Sequence, residues 1–130
     1  MVDYNELYQT ADWKQEKHVP VISVEGMANK GEEITVRLHV GEEIGHPNTT
    51  EHHIRWIKAL FHPKGEKFPY ELGKCEFNAH GESTEGPNTS TVYCNPEATM
   101  RFKTEKEGTV IAFSYCNIHG LWRNEMELKF

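Results

Sequence analysis

No run of apolar residues in this 130-residue sequence extends beyond a few positions, which excludes a helix long enough to cross a bilayer. The opening stretch MVDYNELYQTADWKQEKH lacks both a basic start and an apolar stretch, so no secretory signal is read and a cytoplasmic location is expected. Cysteine is scarce. Cys75, Cys94 and Cys116 are an odd number without paired spacing, which argues against a disulfide framework and for a reducing compartment. The tripeptides Asn48-Thr49-Thr50 and Asn88-Thr89-Ser90 match the glycosylation pattern, but a chain kept in such a compartment does not meet that machinery. Positive charge is also short: 14 Lys and Arg stand against 20 Asp and Glu, for a net charge of -6. A nucleic acid or an anionic membrane surface is thereby excluded as the main partner. Any anionic ligand must be drawn in by a local field.

What the sequence does contain is alternation. Ile34, Val36, Leu38 and Val40 alternate with polar residues, as do Cys75, Phe77 and Ala79, then Ala98, Met100 and Phe102, then Met126, Leu128 and Phe130. This period of two is the pattern of half-buried strands. VPVISV at 19 to 24, HHIRWIKALF at 52 to 61 and TVIAFSYC at 109 to 116 are strand-like, the last apolar on both faces as in a central strand. Turn residues separate these segments at Lys30-Gly31, 62 to 69, 80 to 88 and Glu107-Gly108. Only residues 4 to 13 have the composition of a short helix. The expected fold is all-β, an immunoglobulin-like antiparallel β-sandwich of about seven strands. One domain over residues 1–130 is expected, with 1–18 as an N-terminal segment and site loop and 19–130 as the sandwich.

The eight histidines are unevenly spread. His18 follows Gln15-Glu16-Lys17; His46, His52 and His53 crowd into GHPNTTEHHI; His119 stands three residues after Cys116. His39, His62 and His80 read as solvated surface residues. Strand parity puts His52 on the face of Ile54 and Trp56, hence inward, and His53 with Arg55, hence outward. Cys116 shares the face of Val110 and Ala112 and enters its turn pointing in from the core. Cys75 and Cys94 read as small buried hydrophobes.

One thiolate with several imidazoles selects zinc, copper or iron over magnesium or calcium. A blue-copper site would need a methionine ligand after His119, but Met126 shares its parity with Leu128 and Phe130 and reads as core. A closed one-electron carrier and a zinc-bound structural or interaction domain both remain open at this level.

EKHVP at 16 to 20, HPNTTEHHI at 46 to 54 and CNIHGLW at 116 to 122, in this order, resemble the superoxide reductases, the neelaredoxin and desulfoferrodoxin family. The resemblance covers nearly the whole chain. It implies one mononuclear iron per chain, with His18, His46, His52 and His119 in a plane, Cys116 axial, and Glu16 and Lys17 beside an open sixth position. It also implies reduction of superoxide to hydrogen peroxide, a rubredoxin-like electron donor and a homotetramer of the one-iron type. A tight turn between Cys116 and His119 is expected to aim the Ile118 and His119 amides at the sulfur.

Overall fold

A computed structural model describes residues 1–130 as two antiparallel sheets packed face to face. Seven strands follow one short helix, α1 (Tyr4–Leu7): β1 (Pro20–Glu25), β2 (Ile34–Val40), β3 (Ile54–Pro63), β4 (Tyr70–Glu76), β5 (Glu97–Phe102), β6 (Gly108–Cys116) and β7 (Gly120–Leu128). One sheet has the order β1-β2-β5 and the other β4-β3-β6-β7. This is the immunoglobulin-like sandwich expected from the alternating segments. The alternation of β2 works as a packing code: Ile34, Val36, Leu38 and Val40 are nearly fully buried. They meet Ile57, Ala59 and Phe61 of β3 and Val110, Ala112 and Cys116 of β6 in one core. β6 lies between β3 and β7, the central position its two apolar faces indicated.

Several expectations shift. The helix is confined to Tyr4–Leu7, because Asp3 caps its first turn and Asp12 then opens a separate turn with Gln15 and Glu16. β3 runs to Pro63, into the stretch assigned to a turn, and β4 begins at Tyr70, directly after that stretch, and ends before Phe77 and Ala79. β7 starts at Gly120, well before Met126, and Phe130 lies beyond its end, exposed. Polar residues on its outer face hide the strand pattern there. In β3 the ladder to β6 slips between Ile54 and Trp56, where Ile54 pairs with Cys116 and Trp56 with Tyr115. The extra residue, Arg55, breaks the shared parity of Ile54 and Trp56: Ile54 is buried, whereas Trp56 lies half-buried on the outer face and stacks on Tyr115.

Candidate metal centre

At one end of the sandwich the start of β3, the end of β6 and the segment before β1 come together. Cys116 pairs with Gly120 across the β6–β7 turn, and Gly120 takes φ +79, a conformation open to glycine at little cost. The turn therefore returns within three residues and places His119 beside the Cys116 thiol. The His119 N–H donates to Cys116 Sγ at 3.4 Å. The Ile118 amide, expected to do the same, makes no such bond. The preceding segment is tied down by Ser114, whose buried hydroxyl donates to the His18 carbonyl at 3.0 Å, and by Trp122, whose ring stacks on the His18 imidazole at 4.9 Å. Trp122 Nε1 also donates to the His119 carbonyl.

His18, His52, Cys116 and His119 each present one donor atom, all within 4.8 Å of one another. His18 Nε2 lies 3.1 Å from His119 Nδ1, which lies 3.3 Å from His52 Nε2 and 3.8 Å from Cys116 Sγ. One ring nitrogen is thus shared among three neighbours, and a single N–H satisfies only one of them. A cation satisfies all. His46 stands against this group, its ring centroid 4.8 Å from those of both His18 and His52. Its Nδ1–H donates to the Pro47 carbonyl at 2.7 Å, and its Nε2 is buried with no partner. Such an orphaned acceptor is costly, and a metal ion relieves it. Gly41, at φ +89, makes room for this residue: a Cβ there would meet the His46 backbone nitrogen at 2.6 Å.

The hydrogen bonds behind the rings fix their orientation. Glu16 Oε1 accepts from His18 Nδ1 at 2.6 Å and from the His18 N–H at 3.0 Å, leaving Nε2 for the cluster. Burial lowers the pKa of His18, His46 and His52, that of His46 to about 4, and the positive charge of Lys17 adds to this at all three. The shifts favour the neutral imidazole, the form that binds a metal without releasing a proton. For Glu16, burial acts to raise the carboxyl, but its bonds to His18 outweigh this and hold it below the ordinary value. Cys116 is fully buried and His18 nearly so, while His52 is half-buried and His119 exposed. The centre therefore opens to solvent on its imidazole side. A cleft of about 400 Å³, lined by His62, Lys64 and Thr109, lies elsewhere and contains none of these groups.

Of the four histidines expected at the surface or facing outward, His39 and His62 are half-buried, and His53 and His80 are buried. His53 is 5% exposed and His80 3%, and their rings stack at 3.4 Å and 8°. His53 Nδ1–H donates to the Thr49 carbonyl, so the segment before β3 turns this ring inward also. Because His52 and His53 precede the strand, strand parity does not govern them. Ser114, Trp122 and Gly41 were missed as supports of the site. No spacing rule marks them, although Trp122 closes the CNIHGLW motif.

A β-sandwich with one thiol and four imidazoles gathered at the end of its central strand defines a protein with a single-metal His/Cys centre. The desulfoferrodoxin family profile matches residues 10–125, and the chain belongs to that family. It is 56% identical over 125 residues to a superoxide reductase from Pyrococcus furiosus, covering 96% of this chain and 98% of that one. A neelaredoxin from Megalodesulfovibrio gigas is 50% identical over 119 residues, covering 92% of each chain. Among solved structures, the reduced superoxide reductase (neelaredoxin) from Archaeoglobus fulgidus superposes with a TM-score of 0.90 at 59% identity, covering 95% of this chain and 99% of that one.

Proposed function

We propose that this chain is a superoxide reductase, converting superoxide, one electron and two protons into hydrogen peroxide. The observation that carries the reading is the convergence of His18 Nε2, His52 Nε2, His119 Nδ1 and Cys116 Sγ, with the orphaned His46 Nε2 beside them. These five residues would hold one iron per chain, and that iron, when bound, supplies the electron and an open coordination position for a small anion. Cys116 gives the site a buried anionic donor, moderated by the His119 N–H. Glu16 orients His18 through its Nδ1, and the family resemblance supports a second role for its carboxylate as a ligand of the oxidised centre. Lys17 is half-buried, and its charge already bears on three of the imidazoles. Its ammonium attracts the anion and orders the water that supplies protons. No helix is long and apolar enough to cross a membrane. A cytoplasmic setting, a rubredoxin-like electron donor, a homotetrameric assembly and one working unit over residues 1–130 complete the proposal, supported by the family resemblance.

The direct test mixes the reduced, iron-loaded chain with superoxide in a stopped-flow cell. Peroxide should form without dioxygen. A protein that takes up only zinc, or that exchanges electrons while leaving superoxide untouched, would instead support the interaction-domain or electron-carrier reading.

The net charge of -6 makes Lys17 the focus of a second measurement. A focused positive field raises association rates by about 10- to 1,000-fold and weakens as salt screens it. Lys17→Ala should slow the encounter with superoxide by about 10-fold and flatten its dependence on ionic strength. Lys17→Arg should recover part of the rate, because the charge is kept. Equal rates and salt slopes in Lys17→Ala and the parent would remove the steering role. The spectrum of the oxidised protein reads Glu16 separately: Glu16→Ala should shift it, whereas Lys17→Ala should leave it in place.

A further inference from the structure

His52 stands in an irregular segment, since β3 begins only at Ile54. Beyond the tight turn that Thr49 closes around it, it is held by a pair of asparagines from two distant parts of the chain. On one side, Asn117 Nδ2 donates to the Glu51 carbonyl at 2.9 Å, and Asn117 Oδ1 accepts from the His53 N–H at 2.9 Å. The peptide groups before and after His52 are therefore bound to one planar carboxamide, and the Asn117 N–H adds a third bond to the His53 carbonyl at 3.2 Å. On the other side, Asn88 Oδ1 accepts from the Thr50 N–H at 2.8 Å, while its Nδ2 donates to both oxygens of the Glu51 carboxylate at 3.0 and 2.8 Å. The Asn88 N–H donates to Thr50 Oγ1, whose own proton goes to the His80 carbonyl at 2.6 Å. Asn88 does this from φ +56, the only non-glycine residue with positive φ, a region asparagine tolerates better than most.

We propose that Asn117 and Asn88 are positioning residues that clamp the His52 segment from both sides and keep its imidazole on the Cys116–His119 turn. The proposal rests on the reading of this cluster as an iron site. Asn117 belongs to the turn that carries Cys116 and His119, so its carboxamide ties the two ligand-bearing segments into one frame. Asn88 fixes the opposite edge. The tripeptide that looked like a glycosylation site thus has a use within the fold: its asparagine is committed to the clamp through both side-chain atoms.

The test compares Asn117→Ala and Asn88→Gly with the parent after loading with ferrous iron. Asn88→Gly removes the side chain while keeping the left-handed backbone accessible. Iron release to a ferrous chelator should accelerate by about 10-fold or more in each variant, as loss of a group that orients a ligand commonly does. The sulfur-to-iron absorption of the oxidised protein should shift with it. Leu128→Ala serves as the structural control, because Leu128 is buried opposite Gly108 at the far end of β7. It should lower the melting temperature while leaving release and spectrum alone. In a His52→Ala background, where iron is held too weakly for a release rate, Asn117→Ala should add nothing to the loss of ferrous affinity measured by titration, since both act through one ligand. Release unchanged within about twofold in both variants, where the outer partner's loss should cost about tenfold or more, would overturn the proposal. So would full additivity with His52→Ala, or an equal acceleration by Leu128→Ala. Neither readout uses superoxide, so a loaded parent that fails to consume superoxide would defeat the reductase reading and leave the clamp to be judged by iron release.

Discussion

Cys116→Ser is expected to remove the visible colour of the oxidised protein and to cost more iron affinity than the roughly 10- to 100-fold lost with an outer hydrogen-bond partner. Cys116 is fully buried, and its Sγ faces His119 Nδ1 at 3.8 Å. A hydroxyl at this place is a poor donor to a borderline metal and does not provide the sulfur-to-metal transition. The other two cysteines supply the contrast. Cys75 and Cys94 are half-buried against the core and belong to no metal-ligating group. Cys75→Ser and Cys94→Ser should therefore cost about 0.5–3 kcal/mol of stability and leave colour and iron content intact. Metal analysis with a visible spectrum of each variant decides it. Loss of colour in either of the latter two would mean that the thiolate has been misassigned.

The sandwich was legible because its strands are written in a local code. β2 reads Ile34, Val36, Leu38, Val40 and buries those residues, and β6 is apolar on both faces and lies second from the edge between β3 and β7. The code fails where packing is not two-sided or where register slips. The outer face of β7 carries Arg123, Glu125 and Glu127, and only Trp122 and Leu128 are buried, so its first half gives little signal. At Arg55 a residue is inserted between the pairs Ile54–Cys116 and Trp56–Tyr115. No alternation within β3 announces that insertion, because it depends on the partner strand.

The candidate centre was legible as residue types and motif order, and much less so as geometry. Parity selects His52 through a shared face with Trp56, but the slip at Arg55 removes that basis. His52 reaches the cluster because Thr49 closes a tight turn around it: the His52 N–H donates to Thr49 Oγ1, and the Thr49 N–H donates to the His52 carbonyl. The supports are silent in the sequence for a related reason. Asn88 and Asn117 act across 37 or more positions, and a single asparagine carries no trace of a partner so far away.

The adjacent pair His52 and His53 offers the sharpest separation of roles. His52 Nε2 lies 3.3 Å from His119 Nδ1, and its ring is half-buried at the rim. His52→Ala should therefore strip iron from the protein, with a loss beyond the roughly 10- to 100-fold of an outer-partner change. The metal-free chain should lose little stability, because little buried surface goes with the ring. His53 is 5% exposed, its ring lies flat on His80 at 3.4 Å, and its Nδ1–H satisfies the Thr49 carbonyl. His53→Ala should empty a packed site and leave that carbonyl without its donor, costing about 2–4 kcal/mol by the large-to-small rule. Iron should still bind, since Asn117 continues to hold the backbone on both sides of His52. Urea melts of the metal-free variants, read beside iron content after loading, place the two on opposite axes. Iron lost from His53→Ala but kept in His52→Ala would mean that the segment enters β3 with the other ring facing the metal.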